Sequence, residues 1–131
     1  MNQLQASITA IQTSDNLALI ELHCEGILLN TLIISNAEAY ISEGNHVYLV
    51  FKETEVAIGI PPINNISIQN QFPCTIESIE KGPILAEIKL NFMGHSLKSI
   101  ITTASCEMLN LNVKDKVIAL VKTNEILLMK I

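Results

Sequence analysis

A chain of 131 residues, 49% hydrophobic and 16% charged, fits one ordinary domain or two very small ones, and it is too apolar to be disordered. Its net charge of −5, carried against eight lysines and no arginine, argues against a general nucleic-acid binder, and Tyr40, Tyr48, Phe51, Phe72 and Phe92 are too scattered to form a stacking platform. Three distant cysteines (Cys24, Cys74, Cys106), no basic-then-apolar start and no apolar run near the ~20 residues of a membrane span predict a cytoplasmic protein with unpaired core thiols.

Taken in order, residues 5–11 are small and β-branched and predict a strand; Thr13–Asn16 is a polar turn. Leu17–Cys24 predicts a second strand, with Glu21 and His23 at period two, and Glu25-Gly26 breaks it. Ile27–Ile34 predicts a third strand, apolar enough to be buried on both faces. Ser35–Ile41 suits one or two helical turns behind a Ser or Asn cap. His46–Lys52 and Glu55–Ile60 complete five strands.

After Pro61-Pro62 and the polar stretch Asn64–Phe72, the order returns. Strands are expected over Cys74–Ile79, Ile84–Leu90, Ser96–Thr102, Lys116–Lys122 and Glu125–Ile131, with a short helical turn over Ser105–Leu109. Ile8–Ile11 matches Ile76–Ile79 at a shift of 68, and Leu19–Leu22 matches Leu85–Ile88 at 66. Leu32-Ile33 matches Ile100-Ile101 at 68, and Val47–Lys52 matches Val117–Lys122 at 70. Shifts that change only in turns mark a duplicated unit. The expected fold is all-β: two OB-like five-stranded Greek-key barrels, each with one short helical turn, over residues 1–64 and 65–131. Units of this size are marginal alone, so an oligomer is expected.

Catalytic chemistry is not legible. His23, His46 and His95 lie in different strands or loops with no carboxylate at a telling spacing. No nucleophile elbow or Gly-rich phosphate loop is present, and His23-Cys24 would point to opposite faces of a strand. What remains is a set of oxyanion donors: Ser67 near the start of the second unit, Thr102 and Ser105 around its helical turn, and Lys122-Thr123 after its fourth strand. An oxyanion without a bound metal is held by N–H groups, hydroxyls and one or two cations. By spacing alone, Thr102 and Ser105 equally fit the cap of a helical turn, and Lys122 a solvated side chain.

The order of these phrases resembles the Mop repeat, the molybdenum-pterin-binding or molbindin family, related to the TOBE domains of importer ATPases. The family's opening Ser-Ala-Arg-Asn is represented by Ser67-Ile68-Gln69-Asn70. Its apolar pair leading to two spaced hydroxyls is represented by Ile100–Ser105, its Val-Val-Lys-Ser/Thr by Leu120–Thr123, and its closing strand by Ile126–Met129. The resemblance covers the chain as two units. It implies strand exchange between neighbouring units and binding of molybdate or tungstate at interfaces between repeats or subunits of a homotrimer. No further cofactor, metal site or nucleic-acid partner is implied.

Carried over, the ligands are Ser67, Ile68, Gln69, Asn70, Thr102, Ser105, Lys122 and Thr123, with Ser35 and Lys52 as weaker first-repeat candidates. Gln69 stands where the family has Arg, so one cation is missing. The opening motif is absent from the first repeat, where Asn2 aligns with Asn70 at a shift of 68, and Glu38 falls where Ser105 sits. The first-repeat site is therefore expected to be weak. Two roles follow: a stand-alone oxyanion store or buffer, which the initiating Met1 favours, or a sensing module of a molybdate-responsive regulator or importer ATPase.

Overall fold

The computed structural model describes residues 1–34 and 38–131. Strands β1 (Asn2–Ser14), β2 (Leu17–Cys24), β3 (Ile27–Ile34), β4 (His46–Phe51) and β5 (Ala57–Gly59) precede Pro61-Pro62, with a 3-10 turn at Glu53–Glu55. Strands β6 (Asn70–Lys81), β7 (Leu85–Phe92) and β8 (His95–Thr102) follow, then helix α1 (Thr103–Met108), β9 (Lys116–Val121), a 3-10 turn at Thr123–Glu125, and β10 (Leu127–Lys130). These are two copies of one OB-like, nearly all-β unit.

The repeat is more regular than the sequence alone predicts. β2 and β7 correspond from Leu17 and Leu85, a shift of 68 rather than 66. The shift is 68 through the third strand of each copy and 70 from the fourth onward. The change therefore falls wholly in the connection between those strands. In the second copy that connection holds α1; in the first, Glu38–Ile41 close a hydrogen-bonded turn, with the Ile41 N–H donating to the Glu38 carbonyl at 3.1 Å. The helical turn expected over Ser35–Ile41 is not formed at Glu38–Ile41, and its start, with the candidate Ser35, lies outside the described residues.

Alternation places the core. Leu4, Ala6 and Ile8 of β1 and Phe72, Cys74 and Ile76 of β6 point inward at every second residue. A register shift follows in both, between Ile8 and Ala10 and between Ile76 and Ser78. One extra residue reverses the parity, so Ile11 and Ile79 are the next to pack on the core. β3 departs from expectation: Leu29 and Thr31 are buried, but Leu28, Leu32 and Ile34 are exposed, because β3 is an edge strand covered on one face.

The sheets do not follow the sequence halves. One sheet has the order β10-β4-β1-β2-β3 and the other β5-β9-β6-β7-β8, all antiparallel. Each copy's last strand has crossed to the other copy: Leu127–Lys130 pair with Val47–Val50, and Ala57–Gly59 pair with Ile118–Leu120. Strand exchange thus occurs within this one chain. Phe51 and Phe72, from different sheets, stack at 5.6 Å between ring centroids, and Phe92 meets Phe72 edge-on at 5.2 Å.

The seam between the sheets carries two matching sets of polar clamps. Asn70 donates from its side-chain amide to the Asn30 carbonyl at 2.8 Å and accepts from the Asn30 N–H at 2.7 Å. Asn2 does the same to Lys98, at 2.8 Å in both directions. The Thr31 hydroxyl donates to the Ile126 carbonyl and the Ser99 hydroxyl to the Val56 carbonyl, each at 2.6 Å. Asn2, Thr31, Asn70 and Ser99 are the buried polar residues among those described. Each is satisfied across the seam, as buried polar groups must be.

Candidate functional site

Ser67-Ile68-Gln69 approaches the seam just before β6 begins at Asn70. The Gln71 side chain donates to the Ile68 carbonyl at 3.0 Å and holds the loop's shape. Among the described residues, the Ser67 and Ile68 N–H groups have no backbone acceptor, and Ser67 is exposed. The loop therefore offers two N–H groups and a hydroxyl without partners among the described residues.

Lys122 and Thr123 lie beside it. Asn70 pairs with Val121 across the β6–β9 ladder, so the residue after each strand pair's end is Gln69 on one side and Lys122 on the other. Lys122 is exposed and, among the described residues, has no carboxylate partner. Its carbonyl accepts the Glu125 N–H at 3.0 Å, and the Thr123 carbonyl accepts the Thr31 hydroxyl at 3.2 Å, which pins the 3-10 turn to β3. Gln69 accepts from the Asn30 side-chain amide at 3.0 Å. The structure thus brings together Gln69, Asn70, Lys122 and Thr123 around Asn30 and Thr31 of the other sheet, with Ser67 and Ile68 in the loop leading to them. The Asn70 side chain is committed on both sides to Asn30.

Thr102 and Ser105 lie elsewhere. Thr102 pairs with Leu85, beyond the Lys81 end of β6, whereas Ser67–Asn70 sit at its start. Thr102 is the N-cap of α1: its hydroxyl oxygen accepts the Ser105 N–H at 3.0 Å and donates to the Ser105 Oγ at 2.8 Å. The Thr103 hydroxyl donates to the Gly82 carbonyl at 2.8 Å and anchors the helix start to the β6–β7 turn. Both hydroxyls are exposed or half-exposed, but within one chain they do not meet the Ser67–Lys122 group.

At the matching place in the first copy, Lys52 is exposed like Lys122, but Glu53 stands where Thr123 does. Glu53 accepts from the Met1 α-ammonium at 2.9 Å, and that contact, followed by its own backbone hydrogen bond, holds its carboxyl below the usual range. A carboxylate beside the lysine opposes an anion there. Asn30, Thr31, Lys98 and Ser99 were not legible as seam residues in the sequence. The signal available was the 68-residue shift, which pairs Asn30 with Lys98 and Thr31 with Ser99.

The three histidines, distant in sequence, converge. His23 and His46 lie opposite Ser7 from either side, and with His95 and Glu25 they line one cavity of about 230 Å³. His95 Nε2 is 3.4 Å from the Glu25 carboxylate. Among the described residues no group of three or more His, Cys, Asp or Glu is set to hold a metal ion. The three thiols are buried and free; burial pushes Cys24 up, helped by Glu25, and pushes Cys74 up to about 12 against an opposing backbone hydrogen bond from Ala119. No helix among the described residues is long and apolar enough to cross a membrane.

Residues 66–128 match the TOBE domain family. The chain is 36% identical over 87 residues to the molybdenum import ATP-binding protein ModC of Brucella abortus (strain 2308), a match covering 66% of this chain and 24% of that protein. ModC of Brucella suis biovar 1 (strain 1330) matches to the same extent, 36% over 87 residues. The chain spans about a quarter of the length of the curated relatives it matches. Its fold resembles that of the cytoplasmic molybdate-binding protein ModG with molybdate bound, with a TM-score of 0.92 over 99% of this chain and 96% of that one, at 21% identity. A molybdate binding protein from Sporomusa ovata is 39% identical over 45% of this chain and 88% of that one, with a TM-score of 0.44. Residues 66–128 thus carry a TOBE domain, and the same five-strand unit is built once before it.

Proposed function

We propose that the protein binds molybdate or tungstate and serves to store or buffer the oxyanion in the cytoplasm, without catalysing a reaction. The reading is supported by the placement of the Ser67–Gln69 loop at the seam end where Lys122 and Thr123 follow β9, with the Ser67 and Ile68 N–H groups and Lys122 without partners among the described residues. A tetrahedral dianion suits fixed N–H and O–H donors with one cation, and it arrives as ligand, with no resident metal or cofactor. The ModC relatives, named for molybdenum import, and the molybdate-bound ModG fold support the choice of oxyanion.

Thr102 and Ser105 join the site when a second copy brings them to the Ser67 loop, so the complete donor set belongs to an oligomer, proposed as a trimer. The exposed Leu32, Ile34, Leu85 and Met108 fit burial between copies. Titration calorimetry with molybdate, tungstate and sulfate at about 100 μM protein, suited to micromolar affinity, should give heat with the two heavy oxyanions. Silence with both would sink the reading. Sedimentation equilibrium should give three times the chain mass.

The ModC match favours a second reading, in which the chain is the oxyanion-sensing module of a larger importer ATPase or works on one in trans. A nucleotide-binding domain in the same reading frame would establish it over the stand-alone role.

A further inference from the structure

We propose that Asn30, on a strand of the first copy, is a positioning residue for the second copy's oxyanion site, acting through Gln69; the role rests on the oxyanion reading above. The Asn30 side-chain amide donates to Gln69 Oε1 at 3.0 Å. A primary amide whose oxygen is engaged in this way turns its NH2 group the other way. Among the described residues the Gln69 nitrogen has no acceptor of its own, and Gln69 is exposed. The Asn30–Gln69 bond thus holds the Gln69 amide by its oxygen and leaves its NH2 group free for an anion beside Lys122.

The geometry separates this role from a structural one. The clamp that holds β3 to β6 uses the Asn30 backbone N–H and carbonyl with the Asn70 side chain. Replacing the Asn30 side chain leaves that clamp intact. Asn30 is half-buried on the face of β3 opposite the buried Leu29 and Thr31, so the core is untouched as well. At the matching position of the other copy stands Lys98, whose ammonium pairs with Glu87 at 3.1 Å. No equivalent amide pair exists there among the described residues. The device is confined to one site and joins it to the other copy, so neither half carries the complete arrangement alone.

The orientation also suits the missing charge. An arginine has donors only and needs no partner to aim them; a glutamine presents either polarity until a neighbour chooses. Asn30 offers the Gln69 oxygen a donor when the Gln69 NH2 group faces an anion.

The test uses the full chain and two readouts. In 15N-labelled protein without ligand, the Gln69 side-chain NH2 should be ordered on the nanosecond timescale and become mobile in Asn30→Ala, with the melting temperature unchanged. Equal mobility in both would overturn the positioning role whether or not molybdate binds. In molybdate titrations, Asn30→Ala should lose about tenfold in affinity, the scale of one hydrogen bond to a charged group. Asn30→Asp, which accepts from the Gln69 NH2 and turns its oxygen outward, should lose more. Gln69→Arg should restore binding in the Asn30→Ala background, because arginine has no acceptor to misdirect. Wild-type affinity in Asn30→Ala, or no rescue by Gln69→Arg, defeats the proposal while leaving the oxyanion reading standing. A wild-type chain that binds neither molybdate nor tungstate removes the oxyanion reading and the ligand role of Asn30 with it.

Discussion

Lys122 and Lys52 occupy one place in the two copies, yet the next residue differs: Thr123 adds a hydroxyl, and Glu53 adds a carboxylate that is paired with the Met1 ammonium. Lys122→Ala should lower molybdate affinity about tenfold or more, since charge-assisted bonds are roughly twice as strong as neutral ones, and titration calorimetry reads the loss. The melting temperature should hardly move, because Lys122 is exposed. Cys74 makes a pH prediction of definite sign. Burial raises its thiol from 9.0 to about 12 in the folded chain. The folded state therefore binds more protons than the unfolded state between those values. The stability is fully present below pH 9 and is lost as pH rises toward 12, at about 1.4 kcal/mol per pH unit within the window. Urea unfolding at pH 8 and pH 10.5 should show the decline, and Cys74→Ala should reduce its slope. Ser67 and Lys122 stood out in the sequence as candidate donors by residue type and order, and Gln69 by the family resemblance. The capping geometry of Thr102 was one of two readings that spacing left open, and the Asn70 clamp on Asn30 was not legible, since its partner lies 40 residues away.

At the scale of elements, the two-residue hairpins after β2 and β7 are the same turn with different residues. Glu25-Gly26 and Met93-Gly94 both have φ positive at both positions, 51° and 77° in one and 48° and 89° in the other. Such turns favour Asn or Asp before Gly. Met93 is 51% exposed, so little packing is at stake. Met93→Asn should raise stability by about 0.5–1 kcal/mol, read as a higher urea midpoint with an unchanged slope. The seam clamps should respond in the opposite direction. Asn70→Leu leaves the Asn30 N–H and carbonyl without their partner and should cost about 2–4 kcal/mol in the same assay. Most strands were legible from their alternation and turn residues, and both β2 and β3 run as the sequence predicts, Leu17–Cys24 and Ile27–Ile34. The exposure of β3 was not: an apolar run reads as doubly buried until its position at a sheet edge is known.

For the molecule as a whole, the exchange of β5 and β10 makes each sheet depend on both sequence halves. A fragment of residues 65–131 would carry β10 with no β4 to receive it and a β9 edge with no β5 to cover it. Two such fragments can complete each other by exchanging β10, so the fragment is expected as a dimer by sedimentation, with the monomer unfolded. The sequence by itself determined the duplicated five-strand unit, its all-β character and the donor types at the head of the second copy, because strand periodicity, turn residues and side-chain chemistry are local properties. Only the tertiary structure decided which strands share a sheet, that Asn70 clamps a neighbour, that Asn30 meets Gln69, and that Thr102 stands at the other end of β6. Those facts depend on where antiparallel ladders place residues 30 to 100 positions apart, and pairing of that range leaves no period in the chain to read.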